Sequence, residues 1–75
     1  MDIKMNWTIE KAKEELPCVR VLYNGRLHWA RTSGRLCNHA TVTLGYSSTT
    51  QDWIDVHYSW AAIAHSLNTG KPLNT

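Results

Sequence analysis

Apolar and polar residues alternate on both sides of Asn24-Gly25 in the run Val19–Thr32, VRVLYNGRLHWART. An Asn-Gly pair between alternating runs is the strongest short-range signal for a β-hairpin. With those two residues as the turn, Tyr23 opposes Arg26, Leu22 opposes Leu27, Val21 opposes His28, Arg20 opposes Trp29 and Val19 opposes Ala30. Opposed residues share a face. One face therefore holds Val19, Val21, Tyr23, Arg26, His28 and Ala30, and the other holds Cys18, Arg20, Leu22, Leu27, Trp29 and Arg31. Both are part apolar and part basic, as in a strongly curved sheet where neither side is wholly wet; a flat meander would alternate more cleanly.

The remaining elements are set by period and punctuation. TIEKAKEE, residues 8–15, reads as a short helix with Thr8 as N-cap and Glu10 in the first turn. Trp7 is placed to staple onto Ala12. Pro17 stops the helix and pushes Leu16 toward an extended conformation. Thr32–Arg35 forms a second turn. LCNHATVTL, residues 36–44, resumes a strand, with Ala40, Val42 and Leu44 on one face and Thr41 and Thr43 on the other. GYSSTTQ, residues 45–51, is a polar loop, and DWIDVHY, residues 52–58, a fourth strand. Ser59 caps a last helix in which Trp60, Ile63, Ala64 and Leu67 recur at helical spacing, closed by Gly70 and Pro72.

This order predicts an α+β fold: a small antiparallel, strongly curved four-stranded sheet, an SH3-like half-open barrel, with a short N-terminal helix and a C-terminal helix. The alternative is a flat four-stranded sheet covered by both helices. Residues 1–6 are expected as a flexible tail, 7–70 as the single globular domain and 71–75 as a C-terminal tail. Seventy-five residues leave room for one domain only, and a marginal one. Phe is absent, and four Trp and three Tyr supply the large side chains.

Charge changes the picture more by place than by sum. The net charge is only +2, yet residues 16–51 contain all four arginines and no acid, while the rest holds four lysines against six acids. Arginine favours planar, bidentate or stacked recognition over a simple point charge. Two cysteines are too few for a disulfide framework; no signal-like segment opens the chain, and no apolar run approaches a membrane span. Cys18 and Cys37 could meet across the sheet, but free thiols in a reduced, cytoplasmic protein that contacts no membrane are the expectation.

Site chemistry is sparse. Cys37 and His39 would share a face of a strand, but the paired spacing of a structural zinc site is missing, so no metal is expected and the histidines read as solvated or core-edge, with a buried thiol. A thiol site using Cys37 or Cys18 with His and Asp55 lacks both an elbow motif and the volume for an enclosed pocket. Glu14-Glu15 is a solvated helix face, and Asp52 and Asp55, three apart on a strand, face opposite ways. Each glycine stands alone at a turn, which excludes a phosphate cradle. No catalytic residue and no small-molecule cofactor are assigned, and a metal or thiol site at Cys37 and His39 stands only as a remote alternative.

What remains is binding. Arg20 and Arg31 bracket Trp29, Tyr23 and Arg26 lie at the hairpin tip, Arg35 comes in the next turn, and Trp53 begins the fourth strand. Trp, Arg and Tyr are the residues that anchor protein interfaces, so these seven are expected to contact a protein partner or a second copy of the chain. The same set could instead bind RNA or single-stranded DNA, with rings stacking bases and arginines meeting phosphate. Residues 59–73, SWAAIAHSLNTGKPL, resemble in style the small accessory proteins carried by phages and mobile elements, which implies an accessory or regulatory role.

Overall fold

A computed structural model describes residues 6–74. Its elements are α1 (Ile9–Glu15), β1 (Val19–Tyr23), β2 (Arg26–Ser33), β3 (His39–Ser47), β4 (Asp52–Ser59), α2 (Trp60–Thr69) and β5 (Leu73–Asn74). The strands form one sheet in the order β4-β3-β2-β1-β5. The sheet curls into a half-barrel with two helices on its inner side, an α+β fold. The tail expected over residues 1–6 lies, apart from Asn6, outside the described residues.

The first hairpin has the pairing its sequence dictates, Val19↔Ala30 through Tyr23↔Arg26. Asn24 and Gly25 both take positive φ, 50° and 74°, the combination that lets a two-residue turn match the strand twist. Val19, Val21 and Ala30 are buried and Leu27 and Trp29 exposed, so the face carrying Val19 is the core. Arg26 belongs to that face yet stays in solvent, beside the Asn24-Gly25 turn at the hairpin tip. The mixture of apolar and basic residues thus reflects position along the strand as much as curvature.

Two corrections concern the sheet. It has five strands, and it is mixed, because Leu73–Asn74 adds parallel to β1 through Val21↔Leu73 and Leu22↔Asn74. Two residues carry no alternation, so the sequence pattern leaves them in the tail; burial of Leu73 and the hydrogen bond from Ser66 Oγ to Lys71 O, 2.5 Å, fasten the segment instead. The turn expected at Thr32–Arg35 also moves. β2 runs on to Ser33 because Thr32 is a core residue whose hydroxyl donates to Pro17 O at 2.8 Å. Residues 34–38 make the turn, closed by Cys37 N–H to Gly34 O at 2.8 Å, and β3 begins only at His39. At its other end β3 continues to Ser47, through the first three residues of the expected polar loop, because Tyr46 and Ser47 pair with Trp53 and Asp52.

Leu16 differs too. It takes φ 48° and ψ 59° rather than an extended conformation, and its N–H closes α1 by donating to Ala12 O at 2.9 Å. Pro17 disfavours the right-handed helical region for Leu16, and the left-handed one serves both the proline and the cap. Thr8 caps the other end by accepting from Lys11 N–H at 3.1 Å. Trp7 is fastened to α2: its N–H donates to Asn68 Oδ1 at 2.7 Å, and Asn68 Nδ2 donates back to Trp7 O at 2.9 Å.

α2 covers the inner face with the stripe its spacing requires. Trp60, Ile63 and Ala64 are buried, with Leu67 packed beside them. Ser59 accepts from Ala62 N–H at 3.1 Å, and Gly70, at φ 76°, ends the helix by donating to Ser66 O at 2.9 Å. Ala30 and Ala40 belong to the same buried cluster as Trp60, whose Nε1–H donates to Cys37 O at 3.1 Å. Tyr58, packed against this core, has a buried hydroxyl without a partner among the described residues, and desolvation raises its pKa above the usual tyrosine range.

Two substitutions test this account of stability. Gly70→Ala should cost about 1–2 kcal/mol in denaturant unfolding, since the left-handed cap penalises a Cβ. Tyr58→Phe, which removes the orphaned hydroxyl, should leave stability unchanged or raise it by up to about 1 kcal/mol.

Candidate functional site

Both helices lie on one side of the sheet, so among the described residues the other side is open. Alternation along β2 sends Leu27, Trp29 and Arg31 to this outer face, with Leu22 and Arg20 beside them on β1. Trp29 is 71% exposed and Leu27 53%. A side chain that could have been buried under a helix stands instead in solvent.

Arg20, directly across from Trp29, does not lie over its ring. Its guanidinium donates to Gly70 O at the C-cap of α2, which draws the side chain over the sheet edge. The cation that does sit over an indole is Lys11, 4.7 Å from the Trp7 ring centroid. Between the start of β1 and the end of α2 this leaves an open groove of about 440 Å³ lined by Trp7, Pro17, Cys18, Arg20, Trp29 and Leu67. Its walls are apolar, with two indoles, one guanidinium and one thiol, and can accept an apolar side chain from outside.

The rest of the expected set is distributed. Tyr23 and Arg26 are on the inner face at the hairpin tip, where they border a second notch of about 410 Å³ with His28, Leu44 and Ile54; the Tyr23 and His28 rings meet edge-on at 6.2 Å. Arg35 is in the turn beyond β2, beside Leu36, which is exposed. Trp53 is on the outer face but two strands away, 62% exposed. The structure therefore gathers Arg20, Trp29 and Arg31 and separates them from Tyr23, Arg26 and Arg35.

One participant escapes sequence reading. Tyr46 should alternate with the threonines of β3 and point inward with Val42 and Leu44. The register slips between Thr43 and Gly45, so that Thr43 pairs with Asp55 and Gly45 with Ile54. The extra residue reverses the alternation and places Tyr46 opposite Trp53 on the outer face, rings edge-on at 5.3 Å and 69°. An isolated glycine within a strand pattern is the sequence signal for such a bulge.

Cys37 lies in the 34–38 turn rather than on a strand with His39, and both thiols are free and exposed rather than buried. Asp55 accepts from Thr43 Oγ1 at 2.7 Å. Among the described residues no three His, Cys, Asp or Glu side chains come together in a group able to hold a metal ion, and no helix is long and apolar enough to cross a membrane. Comparisons with protein-family models, curated proteins and solved structures return no match, so fold and site are argued from this chain's own residues.

Exposure of this kind is measurable. Acrylamide should quench Trp29 and Trp53 while sparing Trp60, and a Trp29→Phe/Trp53→Phe variant should lose most of the quenchable emission. Its unfolding free energy should change by less than about 0.5 kcal/mol per site, the usual range for surface positions.

Proposed function

We propose that this protein is a non-enzymatic binding module that contacts another protein through the outer face around Trp29, with Leu27, Arg31 and the groove beside Arg20. The observation that carries this reading is the exposure of Trp29 on a sheet face that no helix covers. A large, rigid indole flanked by an aliphatic side chain and a guanidinium is the composition of an interface anchor. The groove offers an apolar slot next to it, and Arg31, with no acid near it in sequence, favours an acidic neighbour on the partner.

RNA or single-stranded DNA is the second reading, supported by the same indole and by the arginines. The distribution of the arginines favours protein. A strand-tracking site needs cations along one path, whereas Arg26 and Arg35 are elsewhere and Arg20 is engaged by Gly70 O. The SH3-like description of the half-barrel belongs with this proposal and is supported by the curled meander of short strands. Free, exposed thiols support a reducing, cytoplasmic setting, and an accessory role fits a module of this size.

Site-specific photocross-linking from position 27 in the native host tests the proposal. A discrete adduct that is destroyed by protease, survives nuclease and disappears with Trp29→Ser or Arg31→Glu is the expected result. A nuclease-sensitive adduct, with oligonucleotide affinity falling steeply with salt, would replace the protein reading with the nucleic-acid one.

A further inference from the structure

The two edges of the sheet are built differently. β5 is two residues long, preceded by Lys71 and Pro72, and thus blunted by the devices that keep edges from pairing. β4 is the opposite edge, eight residues long, with no proline and no lysine. Its outward-facing side chains, Trp53, Asp55 and His57, are all exposed. Trp53 N–H is turned back to Asp52 Oδ1 at 2.8 Å at the very start of the strand; among the described residues the centre of the edge carries no such cover. α1 packs on α2 and does not reach across it.

We propose that two copies of this chain associate through their β4 edges, antiparallel about a two-fold axis at Val56, setting Asp55 of each copy opposite His57 of the other. Side-chain alternation limits the choices, because a register that shifts by one residue opposes inner side chains to outer ones. Two symmetric registers keep the faces matched over most of the strand. An axis at Asp55 places that carboxylate against its own copy, a like-charge pair that destabilises. An axis at Val56 instead opposes Asp55 to His57 twice, Ile54 to Tyr58 twice, and Val56 to Val56. Each imidazole can then donate an N–H to the carboxylate of the other copy. Trp53 falls opposite Ser59 and diagonal to His57 of the other copy, so the exposed Tyr46–Trp53 pair extends the contact beyond the backbone. Complementarity of an imidazole donor and a carboxylate acceptor, repeated on both sides of a two-fold axis, is what selects a second copy of this chain as the occupant. The surface involved is distinct from the one around Trp29, so the dimer stands or falls independently of the proposed function.

Sedimentation of the purified chain over a range of concentrations provides the test. The wild type should show a reversible monomer–dimer equilibrium. His57→Asp, which sets two carboxylates opposite each other, should weaken it about tenfold or more. The exchanged variant Asp55→His/His57→Asp restores opposed partners and should recover wild-type affinity to within about threefold, while Trp29→Ser leaves it unchanged. Hydrogen exchange on the wild type alone gives a second readout: amides of residues 53–59 should gain protection with concentration and those of 73–74 should not. A wild type that stays monomeric to millimolar concentration overturns the proposal. So does a dimer indifferent to His57→Asp, or an exchanged variant that retains its circular dichroism yet fails to recover.

Discussion

The fold depends on the burial of Trp60. A chain this small has few large apolar side chains to spend, and Trp60 is the largest of those it buries fully. A buried tryptophan removes roughly 150–250 Å² from water, worth about 4–6 kcal/mol as an upper bound at 25 cal/mol per Å². That is comparable with the whole net stability of a small domain. Trp60 shares its buried cluster with small side chains, Ala30 and Ala40, and with Val19, Val21, Val42 and Ile63. The indole N–H would be orphaned there without Cys37 O, so the 34–38 turn is part of the core although its side chains are in solvent.

This arrangement exhausts the inner face and leaves the outer one uncovered. Tryptophan at four positions in a short chain cannot be hidden by two short helices. Trp60 takes the core and Trp7 the flank of α2, while Trp29 and Trp53 remain outside on separate halves of the curled sheet. The pairing of β2 with β3 runs only from Arg31↔Thr43 to Ser33↔Thr41, so the halves bearing the two exposed indoles are joined over a short stretch. The outer face is in effect two surfaces with different neighbours: arginine and a groove beside Trp29, acid and histidine beside Trp53.

Much of this was legible in the residues. Asn24-Gly25 determined a register that the structure reproduces pair for pair, because a two-residue turn fixes which residues of the two strands must face each other. Thr8, Ser59 and Gly70 marked helix ends for reasons local to each cap. What resisted reading was tertiary. Leu73–Asn74 becomes a strand only because β1 offers it an edge. Tyr46 changes face because one extra residue enters β3, and Leu16 adopts its left-handed conformation under a joint demand from a cap and a proline. The seven candidate binding residues were identifiable by type, but alternation along one hairpin could not say that Arg26 and Tyr23 belong to the inner side, or that Arg20 would reach Gly70.

The fastening between Trp7 and Asn68, together with the seat of Leu73 beside Val21, bears on how the chain reaches this structure. The first hairpin can form early, since its contacts are near neighbours in sequence. The edge beside it closes only across a separation of 61 residues between Trp7 and Asn68, and long-range closure is slow because its entropy is lost before the contacts form. During synthesis the Val19–Ala30 hairpin therefore waits with its inner face uncovered until α2 and the segment after it have emerged. For a nascent chain this is the interval of greatest exposure to aggregation or to a chaperone, and its length is set by the sequence position of Leu73 rather than by the hairpin itself.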